Sequence, residues 1–268
     1  MDRRRFLASI PPVACLAGCV QEPQPGVSKE QPTQNQSRTI TRTRTPTVSE
    51  PSSISIQFRS SYRYIDGLDS IGVKSPESDQ FAFVTPPVSE ESPAPSAFHL
   101  RLGDEQFTPA SSVPGIEAKT PGVEGIYTTD DRRGSLVFDI PTVETENAAL
   151  LFDGTRYPLT EVARGRLATA PEFSLESVSV PDSVAPDDNV ELSITVTNAG
   201  DAAGTYLAGF RTSGLPKAID VPVEPGETET GSVTYDADAD HEAMQFFFAS
   251  PGGRRDYEVV VRSAATTD

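Results

Sequence analysis

Histidine and cysteine, two residue types common in catalytic sites, are rare in this 268-residue chain. The only two histidines are His99, within FHLRL, and His241, which follows DADAD. His99 alternates with Phe98 and Leu100, so we expect it on the solvent face of a strand. No GxSxG sequence supplies a nucleophile context for either imidazole. The inventory therefore predicts a protein that is not an enzyme and that has no catalytic residue and no cofactor.

One acidic run deserves comparison with a calcium loop. Asp236, Asp238 and Asp240 match the first three ligand positions of an EF-hand. The sixth position is His241 where that loop needs Gly, and the twelfth is Phe247 where it needs Glu. The run fails as an EF-hand and is interpreted as an acidic turn. A looser calcium site at these three aspartates remains the alternative.

The only two cysteines lie near the start of the chain, at Cys15 and Cys19. They flank only LAG, and no later cysteine exists, so the rest of the chain folds without a disulfide. Three arginines at positions 3–5 precede an apolar run of about 13 residues, which is too short to span a bilayer. This pattern predicts a signal peptide over residues 1–18.

Two motifs refine the expected address. RRRFL resembles the twin-arginine export motif, and LAGC resembles a lipobox, in which the cysteine sulfur receives a diacylglyceryl group. The matching residues are Arg3, Arg4, Phe6 and Leu7 for export, and Leu16, Ala17, Gly18 and Cys19 for the lipobox. The resemblance implies export in the folded state and a lipid anchor on Cys19 at the outer face of the cytoplasmic membrane. Two acyl chains give stable anchoring. A plain cleaved signal is the alternative.

The segment after the lipobox resembles a stalk. Residues 19–52 are rich in Thr, Pro and Gln and contain no aromatic residue. Such a composition buries too little apolar surface to offset its ordering entropy, so disorder is predicted. Asn35 begins an Asn-Gln-Ser sequon, which makes it a candidate for N-glycosylation, with a chance match as the alternative.

The formal net charge is −17, and only four residues are lysines. Abundant carboxylates with few lysines resemble the proteins of salt-loving archaea. At molar salt the Debye length is about 3 Å, so self-repulsion is screened and stability should rise with salt. The same charge predicts that nucleic acid is not a partner.

The C-terminal part predicts a β-sandwich. In NVELSITVTN, Val190, Leu192, Ile194 and Val196 alternate with polar residues, as in a half-buried strand. Six similar runs follow or precede it, and EPGE at 224–227 predicts a type II turn. The TN.G and PGE segments resemble cell-adhesion-related (CARDB-like) immunoglobulin-like domains. The resemblance covers residues 172–263 and implies a fold and an extracellular setting, with no catalytic residue to transfer.

The preceding part, residues 53–165, is also predicted to be an immunoglobulin-like β-sandwich. Its strand-like pieces QFAFVT, FHLRL, GSLVFDI and AALLFD resemble an uncharacterised immunoglobulin-like domain family of prokaryotic lipoproteins. No amphipathic helical stretch is evident, and residues 163–171 are predicted to form a hinge. The fold class is therefore all-β, with two sandwiches after a signal peptide and a linker.

These observations favour a non-catalytic surface lipoprotein that binds or scaffolds at the cell envelope. Its expected partners are the membrane, through Cys19, and an envelope protein or glycan. The alternatives are an accessory subunit of a surface enzyme or transporter, and a weakly calcium-binding adhesion protein.

Overall fold

A computed structural model describes residues 54–65, 70–87, 93–114, 123 and 125–262. These belong to one compact unit, Ser49–Asp268. The predicted signal peptide, lipobox, lipidated Cys19, stalk and Asn35 lie outside the described residues. Among the described residues, no helix has the length and apolar character needed to cross a membrane.

Among the residues that the structure describes, the first half of the unit contains nine strands. They are β1 Ser55–Arg59, β2 Tyr62–Ile65, β3 Ile71–Lys74, β4 Gln80–Thr85, β5 His99–Leu102, β6 Glu105–Phe107, β7 Leu136–Ile140, β8 Ala148–Phe152 and β9 Thr155–Pro158. Seven form a first sandwich of two antiparallel sheets, in the orders β1-β4-β7 and β6-β5-β8-β9. Phe98, Leu100, Phe138 and Leu150 are buried between them. The other two strands, β2 and β3, pair only with each other as a hairpin.

The second half contains eight strands. They are β10 Phe173–Ser179, β11 Ser183–Val184, β12 Asn189–Asn198, β13 Gly204–Arg211, β14 Lys217–Val223, β15 Thr228–Asp236, β16 Ala243–Ser250 and β17 Gly253–Val261. They form a second sandwich, with sheets in the orders β10-β12-β15 and β11-β17-β16-β13-β14. Its separate core includes Ile194, Phe210, Phe246 and Phe248. The predicted all-β sandwich fold is confirmed.

The two sandwiches share one topology. When the β2–β3 hairpin and the short β11 are set aside, each has seven strands, and in each the first, second and fifth strands form one sheet. The remaining strands form the facing sheet, in which the third and sixth are neighbours. This is an immunoglobulin-like arrangement. The hairpin is therefore an insertion between the first and second strands of the first sandwich.

The alternation predicted for β12 is confirmed. Val190 and Ile194 are fully buried, whereas Thr195 lies on the outer face. The EPGE turn is also confirmed, since Gly226 has a φ of 76° and the Glu227 N–H donates to the Glu224 carbonyl at 3.1 Å. A type II turn needs a positive φ at this position, which glycine adopts without strain.

The asparagine of the TN.G segment, Asn198, has a structural role. The buried Asn198 amide donates to the carbonyls of Ala202, at 2.8 Å, and Val223, at 3.1 Å. Its oxygen accepts from the N–H groups of Glu172 and Gly200, both at 3.0 Å. One side chain therefore satisfies four backbone groups and holds together three segments of the second sandwich.

The region between the sandwiches corrects the expectation of a hinge at residues 163–171. A short helix, α1, spans Glu161–Leu167, and the Thr160 hydroxyl caps it by accepting from a backbone N–H. Leu167 is fully buried in the first core, and its carbonyl accepts from the Gln80 side chain at 3.0 Å. Seven residues are too few to show a clear helical period, so sequence reasoning missed the element.

Candidate functional site: the junction of the sandwiches

The β2–β3 hairpin lies where the two sandwiches meet. On one side, the Tyr62 ring packs against Phe81 and Phe83 on the outer face of β4, with ring centroids 5.0 and 5.9 Å apart. On the other side, Ile71 lies against Gly209 of β13. The hairpin thus contributes apolar surface to both halves of the molecule.

An ion pair with a buried arginine and a partly exposed aspartate lies at this junction. Arg63 of β2 is 1% exposed and pairs with Asp220 of β14, which is 39% exposed. Burial lowers the pKa of the neighbouring Arg59, and the negative charge of Asp220 partly offsets that effect. A guanidinium is expensive to desolvate unless it is paired, so the contact with Asp220 helps to offset the cost of burying Arg63.

Close backbone approach tightens the same junction. A Cβ at Gly209 would lie 2.9 Å from Ile71 Cδ1, and a Cβ at Gly72 would clash with the hydroxyl end of the Tyr64 ring. The Ser75 hydroxyl donates to the Pro251 carbonyl at 3.1 Å, across the junction. A larger residue at either position would therefore force a neighbouring side chain to move.

A pocket of about 420 Å³ borders the hairpin. Ile71, Arg211, Phe247, Arg254 and Asp256 are among its lining residues. The Arg211 guanidinium lies 4.4 Å from the centroid of the Phe247 ring, a cation–π contact that holds it in place. The lining carries both signs of charge.

The aspartates proposed as calcium ligands do not converge. Asp236 ends β15, while the Asp238 carboxylate lies 2.8 Å from His241 Nδ1 and accepts from the Asp240 N–H at 3.0 Å. Asp238 is thus used to stabilise its own turn. Within the described ranges, no group of three or more His, Cys, Asp or Glu side chains is placed to hold a metal.

His99 lies as its alternation predicted, on the outer face of β5. Its register partner is Leu151 of β8, and Leu100 points into the core. Arg101 follows on the same face. The structure therefore places His99 in the first sandwich and His241 in the second.

Burial affects two tyrosines strongly. It raises the pKa of Tyr62 to about 12, with smaller contributions from Tyr64 and Asp139. It raises the pKa of Tyr235 to about 12 as well, although a backbone hydrogen bond from Lys217 opposes the shift. The Tyr235 hydroxyl donates to the Phe210 carbonyl at 2.6 Å, inside the second sandwich.

Sequence reasoning missed the junction altogether. The two strands of the hairpin have four residues each, which is too few to show the alternation of a strand. The arginine in YRYI would be expected on the solvent-exposed surface. A signal was present in QFAFVT, where apolar residues occupy both faces of β4. Such a run indicates a strand covered on both sides, and so a covering element elsewhere in the chain.

Comparisons with known proteins add little to this geometry. No family model matches the chain, and no curated protein matches it. Solved structures that match include a β-glucosidase from Listeria innocua (19% identity, 34% of this chain and 16% of the glucosidase, TM-score 0.27). They also include the CARDB domain of a Pyrococcus furiosus protein in complex with di-metal ions (14% identity, 34% of this chain and 89% of the domain, TM-score 0.28). The fold assignment rests on the strand order described above.

Proposed function

We propose that the chain is a non-catalytic, lipid-anchored surface protein whose two sandwiches act as one rigid binding or scaffolding unit. The observation that carries the proposal is the buried hairpin. Separation of the sandwiches would take Arg63 away from Asp220 and Ile71 away from Gly209. The junction should therefore hold the two sandwiches in a fixed relative orientation.

A fixed orientation suits presentation to a partner. Binding to a rigid surface avoids the entropy cost of ordering two independently moving domains. The address comes from the sequence, where a lipidated Cys19 and a flexible stalk of residues 19–52 would place the unit outside the membrane. A stalk of that length has a root-mean-square reach of about 30 Å, so many copies could engage one extended partner.

The anchor is tested by a pair of cysteine variants. Cys19→Ser should lose membrane association or accumulate as uncleaved precursor, because no thioether can form. Cys15→Ser is the matched control and should remain processed and membrane-bound. Fractionation followed by mass spectrometry of the mature N-terminus measures both, and a membrane-bound, normally cleaved Cys19→Ser variant would overturn the lipid anchor.

Rigidity is tested by distance measurement between the sandwiches. Spin labels at introduced cysteines, replacing the exposed residues Asp104 and Glu224, should give one narrow distance distribution in the full-length protein. Asp220→Ala should broaden it, whereas Asp201→Ala, at an exposed loop position, should not. A broad distribution in the parent protein would contradict the rigid unit.

A further inference from the structure

The outer face of the β10-β12-β15 sheet carries a regular array of hydroxyl groups. In register across the three strands, nine outward positions are all serine or threonine. The rows are Ser174–Thr197–Thr228, Ser177–Thr195–Thr230 and Ser179–Ser193–Ser232. We call these nine residues the hydroxyl grid. Ser and Thr make up 52 of the 268 residues, so composition alone does not explain nine positions out of nine.

A β-bulge helps to build the grid. The pairing of β10 with β12 shifts register between Leu175 and Ser177. Without that shift, the strand's alternation would place Glu176 opposite Thr195. The bulge pairs Ser177 with Thr195 and leaves the exposed Glu176 beside it as the extra residue.

The central hydroxyls are held in position. Thr195 and Thr230 are hydrogen-bonded through their Oγ1 atoms at 3.1 Å, and Thr197 and Thr228 at 2.8 Å. In each pair one hydroxyl donates, which leaves the other with its proton and leaves lone pairs on both oxygens. Threonine is also stiff at χ1, so little side-chain entropy remains to be lost on binding.

The spacing of the grid suits an extended ligand. Neighbouring strands lie about 4.8 Å apart, and alternate residues of one strand about 6.8 Å apart. The nine hydroxyls therefore cover a patch of roughly 10 by 14 Å. All but the three β12 residues, which are half-buried, are exposed to solvent.

Charge selects the kind of ligand. The grid contains no ionisable group, although the chain as a whole carries −17. Glu191 and Asp236 lie beyond one end of it, and Glu176 lies at the bulge. An anionic ligand would be repelled by the surrounding carboxylates, and a second copy docked face to face would bring two such rims together. A neutral ligand rich in donors and acceptors fits best.

We propose that the hydroxyl grid binds a neutral polysaccharide laid across the outer face of the second sandwich. The inference rests on the proposed function in one respect, since it names the ligand class of that binding unit. Each sugar hydroxyl can donate and accept, as each grid hydroxyl can. A single patch of this size should bind weakly, and many anchored copies on one membrane should raise the avidity.

The test uses purified full-length protein and affinity electrophoresis in gels containing dextran or mannan, with dextran sulfate as the charged counterpart. The parent protein should be retarded by at least one neutral polymer and not by dextran sulfate. The double variant Thr195→Val, Thr230→Val keeps side-chain volume and strand propensity but removes two central hydroxyls. It should bind about tenfold more weakly, since two hydrogen bonds are worth about 1.4 kcal/mol or more.

Thr155→Val, at an exposed position on β9 of the first sandwich, is the matched control and should bind as the parent does. Circular dichroism should show all three proteins folded. Three results would overturn the proposal: no retardation by either neutral polymer, equal retardation of the double variant, or a dimer in light scattering that the double variant dissolves. Binding is measured here without membranes. If the protein bound polysaccharide but carried no lipid at Cys19, the lipid anchor would be wrong and the polysaccharide proposal would stand.

Discussion

The sheets β1-β4-β7 and β10-β12-β15 occupy the same place in the same topology, yet their outer faces differ. The first is covered, since Phe81 and Phe83 point outward from β4 and are buried beneath Tyr62 of the hairpin. The second is open, since Thr195 and Thr197 point outward from β12 to solvent. One sheet joins two sandwiches, and the other is free to meet a ligand.

The sequences of β4 and β12 explain this difference. QFAFVT is continuously apolar from Phe81 to Val84, whereas β12 alternates strictly between valine, leucine or isoleucine and polar residues. Alternation indicates one buried face, and a continuous run indicates two. Because the β2–β3 hairpin covers the outer face of β4, the outward residues of that strand are apolar, whereas those of β12 are polar.

The largest effect is expected from truncation on the covered face. Phe83→Ala should lower the free energy of unfolding by about 3–5 kcal/mol, comparable with the 2–5 kcal/mol expected for the core change Ile194→Ala. Urea unfolding followed by circular dichroism measures both. A cost below about 1 kcal/mol for Phe83→Ala would show that the outer face of β4 is not covered.

High pH should weaken both sandwiches. The pKa values of Tyr62 and Tyr235 are raised from 10 to about 12 in the folded state, so the folded protein holds these protons more tightly than the unfolded chain does. Their contribution is complete below pH 10 and is lost as the pH rises through 12, by about 2–3 kcal/mol for each tyrosine. Urea unfolding from pH 8 to 11.5 measures the slope.

The tyrosine variants assign that slope to each sandwich. Tyr62→Phe and Tyr235→Phe should each flatten the loss of stability between pH 10 and 12. If Tyr62→Phe left the slope unchanged, Tyr62 would be open to solvent, and the conclusion that the hairpin covers the outer face of β4 would be wrong.

A smaller effect is expected from crowding the junction. Gly209→Ala would place a methyl group 2.9 Å from Ile71 Cδ1, and overpacking of this kind costs about 1–3 kcal/mol. Gly214→Ala is the control, because no atom lies within 4 Å of its added Cβ. Equal unfolding free energies for the two variants would argue against close docking of the hairpin on β13.

The smallest effect is expected on the open face. Thr195→Ala should change the free energy of unfolding by less than about 1 kcal/mol, since it removes one exposed cross-strand pair. The same urea titration measures it. A cost equal to that of Ile194→Ala would remove the distinction between the two faces of β12.

The sequence alone determined the second sandwich and its inner face. The alternation in β12 follows from the two-residue period of a strand, and the PGE turn follows from the positive φ of Gly226. Both depend on local geometry, so they can be predicted without knowledge of tertiary contacts. The expected export signal and lipid site at Cys19 are also local motifs, and they stay predictions outside the described residues.

Tertiary structure decided the rest. The burial of Arg63, the approach of Ile71 to Gly209 and the register that aligns three strands into the hydroxyl grid all join residues distant in sequence. No local period encodes such contacts, because a residue's partner depends on the path of the whole chain. From the sequence YRYI, Arg63 would be expected on the surface, yet in the fold it is buried and pairs with Asp220 of the second sandwich.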